Sequence, residues 1–176
     1  MFPNSGIASI IIELKGIDAC RVTIQTSRPG YLIGREGQNL RKLQRTVDTV
    51  LTPPFEKYKL PKPAIEFQIE ELKTPFISAK VLAQLAAIDI EKRLPVRKVV
   101  KRTIERAQQH KEIVGIRMRV SGRLNGNEIH RSESLTAGRM PLGTFRSVID
   151  YAEERAFCTY GTIGIKVWGY LGDRGT

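Results

Sequence analysis

The chain has 176 residues, with 29 Lys plus Arg against 18 Asp plus Glu, a net charge of +11 and a pI near 10.0. This length allows one sizeable domain or two small ones, and a hydrophobic content of 41% can fill a core. The charge favours a polyanionic partner, Cys20 and Cys158 make neither a disulfide framework nor a zinc spacing, and no apolar run reaches the ~20 residues of a membrane span.

Two cysteines so far apart are expected to be reduced thiols, and Met1–Ala8 is expected not to be a signal peptide, having neither its charged nor its apolar region. Ala8–Leu14 predicts a strand with Ile10, Ile12 and Leu14 on one face, and Gly16-Ile17-Asp18 turns the chain. Cys20–Thr26 predicts a second strand, Val22 and Ile24 inward, in the half-buried alternation of an antiparallel sheet. Pro29-Gly30 opens a short helical turn with Leu32 and Ile33, and the tetrad Gly34-Arg35-Glu36-Gly37 follows. Leu40, Leu43, Val47 and Val50 then step by three and four along one face of a helix, which leaves Arg41, Lys42 and Arg45 on a basic side. Leu51–Pro63 reads as a solvated connector whose three lysines could touch phosphate. Ala64–Glu71 predicts a third strand with Ile65, Phe67 and Ile69 inward.

Pro75 opens a different region. Ile77, Val81, Leu82, Leu85 and Ile88 predict an apolar helix ending near Leu94. Pro95 is expected as the first residue of the next helix, with Val96, Val100, Ile104 and Ala107 as its buried stripe. After Gly115 the chain turns to strands: Ile116, Met118 and Val120 face in, Arg117 and Arg119 out. Asn125-Gly126 is a hairpin turn, Glu128–Thr136 a polar edge strand, and Pro141 with Gly143 another turn. Phe145–Phe157 and Thr162–Tyr170 are the last strands, Ile163, Ile165 and Val167 inward against Gly164, Lys166 and Trp168. The fold class is α+β: an α+β unit over 1–76, then over 77–176 two helices and a four-stranded, mostly antiparallel sheet.

Glycines bracketing a tetrad let a sugar-phosphate backbone approach the main chain, and the helix that follows presents free N–H groups to an anion. The same pattern is also a helix–turn–helix junction with glycine caps. Its setting after two strands and between two helical segments is that of a KH domain. No Gly-Lys-Ser/Thr follows, so it is not a Walker A loop. The densest charge lies from Lys92 to Arg123, with 11 Lys or Arg and only Glu105 and Glu112 as acids. On the helix after Pro95, Arg97, Lys98, Lys101, Arg102 and Arg106 oppose the apolar stripe in like-charged i,i+4 steps that slightly disfavour the helix. A polyanion fits this face better than a membrane, because the apolar side is needed by the core. The expected RNA-contacting set is Gly34, Arg35, Glu36, Gly37, Arg41, Lys42, Arg45, Arg97, Lys98, Lys101, Arg102, Arg106, Arg117, Arg119, Arg123, Arg131 and Arg139.

Catalytic patterns are lacking. His110 and His130 have no Cys or carboxylate at ligand spacing and read as surface or RNA-facing residues. Asp150, Glu153 and Glu154 could hold a metal, with Asp150 and Glu154 on one side of a strand, but an ion pair with an arginine is the expected fate. No metal and no cofactor is expected.

Five stretches, RPGYLIGREGQNLRKLQ, VRKVVKRTIERA, VSGRLNGNEIHRSE, GRMPLGTFRSVIDYA and TYGTIGIKVWGY, resemble in order the bacterial type of ribosomal protein S three of the small subunit. The likeness runs from about Ala8 to Tyr170. It implies a type II KH domain followed by a second α/β domain, and contact with small-subunit ribosomal RNA and neighbouring proteins of the subunit head. It implies a bacterial-type ribosome of the cytoplasm or an organelle. It also implies a messenger entrance lined by the basic helix, at Arg97, Lys98 and Lys101. That family has an arm and helix ahead of the first strand, where Met1–Ile7 stand here, so the sheet is expected to lack one covering helix unless a neighbour supplies it, the chain being either naturally shortened or a piece. Glu36 stands where a second basic residue is frequent, which weakens a phosphate clamp. The alternative is a free-standing KH protein that regulates or chaperones single-stranded RNA; an enzyme using Asp150 and Glu154 is a remote third.

Overall fold

Isoleucine-rich alternation near the start of the chain forms strand β1, Ile7–Lys15, which pairs antiparallel with β2, Ala19–Thr26. The computed structural model describes residues 6–16, 19–58 and 63–174, in two units, Met1–Lys73 and Thr74–Thr176. Ile17, Asp18, Lys59 and Lys62, and the side chain of Lys57, lie outside what is described.

In the first unit the sheet order is β1-β2-β3, with β3 at Ala64–Glu71. The pairing of β1 with β2 is antiparallel, as their alternation suggests, and that of β2 with β3 is parallel, so the sheet is mixed. Helices α1 (Pro29–Ile33) and α2 (Gln38–Lys57) form the crossover that a parallel pair needs. Helix α2 takes in Leu51–Lys57, expected as connector. Pro53 and Pro54 hold φ near the helical value, and the Thr52 hydroxyl donates to the Asp48 carbonyl at 2.7 Å. Ile65, Phe67 and Ile69 share the half-buried side of β3, as expected. Ile24, Leu32 and Thr26 are buried, whereas Ile10, Ile12 and Leu14 of the edge strand share a face that is open to solvent.

In the second unit β4 (Gly115–Gly122), β5 (Arg131–Gly138), β6 (Ser147–Cys158) and β7 (Gly161–Asp173) form a wholly antiparallel sheet of order β5-β4-β7-β6. Helices α3 (Ala79–Glu91) and α4 (Val96–Gln108) cover one side of it. Ile116, Met118, Val120, Ile165 and Val167 meet Leu82, Ala86, Val99 and Ile104 in one core. The buried side of α3 runs through Ala79, Leu82, Ala83, Ala86 and Ile90, while the expected Leu85 and Ile88 are half-buried. Alanines let this helix sit close to the sheet, so small residues rather than large ones mark its inner face.

Helix α3 ends at Glu91, short of Leu94, because Arg93 takes a left-handed φ of 62°. The Arg93 N–H donates to Ile90 O (2.8 Å) and the Leu94 N–H to Asp89 O (3.2 Å), a Schellman ending without its usual glycine. Pro95 precedes α4 as its cap residue instead of opening it. Asn125 and Gly126 do take positive φ, 54° and 82°, but within a longer connection, so β5 begins at Arg131 rather than Glu128. Asn125 Oδ1 accepts the Val96 N–H at 3.3 Å and so ties this turn to the start of α4. Likewise β6 begins at Ser147, not Phe145, which is fully exposed.

Candidate nucleic-acid interface

In the first unit the tetrad bridges α1 and α2. Gly34 has φ 72° and ψ 179°, Glu36 φ 51° and Gly37 φ 73°. Three positive φ values in four residues fold the backbone into one tight turn, and the Asn39 side chain locks it by donating to Tyr31 O at 2.9 Å. Arg35 and Glu36 are exposed at the tip, and Arg41, Lys42 and Arg45 are exposed along α2. The glycines are thus already required by the turn. An approach by phosphate is an additional use of the same geometry.

In the second unit α4 is two-sided. Val96, Val99, Val100, Thr103, Ile104 and Ala107 are buried, and Arg97, Lys98, Lys101 and Arg102 are exposed, with Arg106 half-exposed. Two of these cations are partnered: Arg97 Nε lies 3.0 Å from Glu133 Oε1 and Lys101 Nζ 3.9 Å from Glu105 Oε1. Both pairs sit at the surface, where water screens them, so they leave most of the positive field in place. Arg117 and Arg119 point away from the core on β4, but they differ. Arg119 is exposed, while Arg117 is half-buried with its guanidinium 5.6 Å from the Trp168 ring centroid. Arg123 is committed inside the unit: it donates to Asn127 O (2.9 Å) and Tyr160 O (3.4 Å) and lies over the Tyr160 ring. Arg131 and Arg139 are exposed at the two ends of β5. A cavity of about 450 Å³ beside the start of α4 is lined by Arg93, Pro95, Val96, Arg123, Cys158 and Tyr160 among others.

Lys166, Arg155 and Tyr151 were not singled out from the sequence, yet they lie on the same sheet face as Arg117 and Arg119. Alternation within each strand gave their direction, but only the strand register brings them together.

The carboxylates considered for chemistry, and His110, have structural partners, while His130 is exposed. Asp150 Oδ2 accepts the Ala79 N–H at 2.7 Å and caps α3. Glu154 pairs with Lys80 at 2.9 Å and Glu153 with Lys166 at 3.8 Å, so the expected ion pairs form with lysines rather than an arginine. His110 is half-buried and stacks on Phe76 at 5.9 Å. Burial, and then the Glu91 carboxylate, push the Cys158 thiol pKa up, with Arg93 opposing. That is the reverse of an activated thiolate. Among the described residues no three His, Cys, Asp or Glu are grouped to hold a metal, and no helix is long and apolar enough to cross a membrane.

The fold and these surfaces define a KH-type unit followed by a separate basic α/β unit. The KH domain family matches residues 2–75, and the family described as Ribosomal protein S3, C-terminal domain, matches residues 86–168. The chain is 40% identical to small ribosomal subunit protein uS3 of Thermosipho melanesiensis over 98% of its own length and 77% of the relative's. It is 37% identical to that of Leptospira biflexa, covering 98% and 71%. Against that of Acinetobacter baumannii it is 39% identical over 97% of its own length, and spans 63% of that relative. The chain belongs to the family of small ribosomal subunit protein uS3.

Proposed function

We propose that this chain is a structural, non-catalytic component of the small ribosomal subunit that binds ribosomal RNA in the head and lines the entrance by which messenger RNA arrives. Its place is a bacterial-type ribosome of the cytoplasm or an organelle, beside other proteins of the head. The observation that carries this reading is helix α4, whose buried stripe fixes it to the core while its cations stand in solvent. Family membership, and the name its relatives bear, supports the ribosomal part.

Function in this reading needs no bond made or broken. Cations neutralise phosphates and release condensed counterions, a term that is insensitive to sequence. Arg97, Lys98 and Lys101 are assigned to the messenger side. Arg102, Arg106, Arg117, Arg119, Arg123, Arg131 and Arg139 are assigned to ribosomal RNA, with the tetrad and Arg41, Lys42 and Arg45 contacting RNA backbone from the first unit. Among these, Arg123 is the weakest donor, since its guanidinium is already engaged.

The test replaces Arg97, Lys98 and Lys101 together by Ala. Subunits carrying the variant should still incorporate it, because the other cations remain. They should translate a hairpin-containing message more slowly than the parent and a hairpin-free one nearly normally. Equal rates on both messages would remove α4 from the entrance. A parent chain that stays at the top of a gradient instead of sedimenting with small subunits would overturn the ribosomal reading and favour a free regulator.

A further inference from the structure

Strand register in the second unit brings together residues far apart in sequence. Arg117, Trp168 and Tyr151 stand side by side across β4, β7 and β6, and Arg119, Lys166 and Glu153 form the next row. Arg155 and then Phe157 continue the same side of β6. The opposite side of these strands is the core under α3 and α4. Tyr151 and Phe157 are 47% and 71% exposed, and Arg119, Lys166 and Arg155 are exposed as well.

We propose that this sheet face is a base-stacking platform for an unpaired, single-stranded RNA segment. The inference deepens the RNA-binding reading above and rests on it. Charge supports it first. Four cations (Arg117, Arg119, Arg155, Lys166) face one carboxylate, Glu153, which is already engaged by the Tyr151 hydroxyl at 3.1 Å and by Lys166 at 3.8 Å. Shape supports it second. The Tyr151 ring lies 5.3 Å from Trp168, and the Arg117 guanidinium lies over Trp168 from the neighbouring strand. The result is a run of flat groups, ring, ring and guanidinium, laid across three strands. Arg117 Nε is buried and has no hydrogen-bond partner among the described residues, so the chain does not exhaust that side chain's bonding capacity. A base offers a π face to such groups, on aromatic rings and arginine planes alike, and its phosphate reaches the cations of the adjoining row. A duplex brings phosphates but keeps its bases stacked on one another. An acidic polypeptide brings charge but nothing flat for Tyr151.

Trp168 is the only tryptophan of the chain, so its emission reports from this face alone. The full chain is titrated with single-stranded oligoadenylate of about ten nucleotides, a blunt RNA duplex, an abasic oligonucleotide and polyglutamate, all at low salt. The single strand should quench emission saturably. The abasic strand and the duplex should bind, as read by anisotropy, without that quench. Tyr151→Ala combined with Arg119→Ala, both solvent-exposed positions, should weaken the quenching titration by about fivefold or more, whereas Tyr151→Phe keeps the ring and the quench. Lys111→Ala, an exposed cation that lies outside this sheet face, should leave the midpoint within about twofold, as expected of an independent position. Oligoadenylate that binds with unchanged emission would overturn the platform and leave the RNA reading standing. No binding of any RNA would overturn both. An equal quench by polyglutamate would make the face a dock for an acidic protein and overturn the proposal.

Discussion

At Gly34 the backbone occupies φ 72° and ψ 179°, a region that is essentially glycine's own. A Cβ there would also meet Asn39 Cγ at 2.7 Å, while at Gly37, φ 73°, it would meet nothing within 4 Å. Gly34→Ala should therefore cost about 1–3 kcal/mol, and Gly37→Ala about 1–2 kcal/mol from the left-handed backbone alone. Urea midpoints compare them, and a costlier Gly37→Ala would show that the Gly34 conformation and its closeness to Asn39 do not dominate the turn. At the other end of the chain, Asp173 accepts hydrogen bonds from Ser147 (2.8 Å) and Tyr170 (2.9 Å). The Ser147 hydroxyl first, and Tyr170 next, hold its carboxyl below the ordinary range, and the Tyr170 hydroxyl is pushed up by the same contact. A depressed folded-state value gives stability that is present above the unfolded-state value and lost as pH falls through the folded one. Ser147→Ala should move the Asp173 carboxyl titration upward and shrink that acid-side loss. A carboxyl resonance that titrates unchanged in the variant would refute the assignment.

Helix α4 lets its two sides be tested apart. The exposed ion pairs of Arg97 and Lys101 are worth about 0.2–1 kcal/mol each, and the like-charge neighbours Lys98 and Arg102 offset them, so the triple alanine variant should melt within a few degrees of the parent. Ile104→Ala, 3% exposed in the core, should cost about 2–5 kcal/mol. A triple variant as unstable as Ile104→Ala would mean that the cations hold the helix in place. Residue types explain how far such elements could be read from sequence. The α4 stripe was legible because Val and Ile recur at helical spacing against charge, and β3, β4 and β7 because branched residues alternate with polar ones. The inner side of α3 was obscured by alanine, which carries little hydropathy contrast. Its end was obscured by Arg93, which adopts a conformation usually assigned to glycine. The helical start of Leu51–Pro63 was obscured by two prolines that break most helices. Of the candidate interface, the basic face of α4 could be read from one segment. The row Arg117, Trp168, Tyr151 could not, since nothing local encodes which strands become neighbours.

Across the molecule, charge and core are unevenly distributed. Residues 1–76 carry 11 basic and 8 acidic side chains, and 77–176 carry 18 and 10. RNA affinity should fall steeply with salt, log K by ~0.7–0.9 per phosphate neutralised against log salt. A flat response in a salt titration would contradict an interface built on phosphates. Among the described residues of the first unit, Ile24 and Leu32 are the fully buried apolar side chains, whereas the second unit holds a continuous cluster from Ala79 to Val167. Amide exchange should therefore be slowest at Met118, Val120 and Ile165 and faster by orders of magnitude along β1. Equal protection of β1 and β4 would show that burial does not set local stability here.

Strand β1 bears on how the free chain behaves in concentrated solution. It is a nine-residue sheet edge with Ile10, Ile11 and Ile12 in succession and all exposed. Among the described residues no further strand pairs with its outer side, and such an edge beside branched side chains is a template on which another copy can add a strand. The net charge of +11 slows that encounter at low salt, and rising ionic strength removes the protection. The free chain should then be colloidally fragile as salt rises. Ile11→Lys puts a charge at the middle of that edge. It should raise the temperature at which light scattering begins at moderate salt and leave the melting of the second unit where it was.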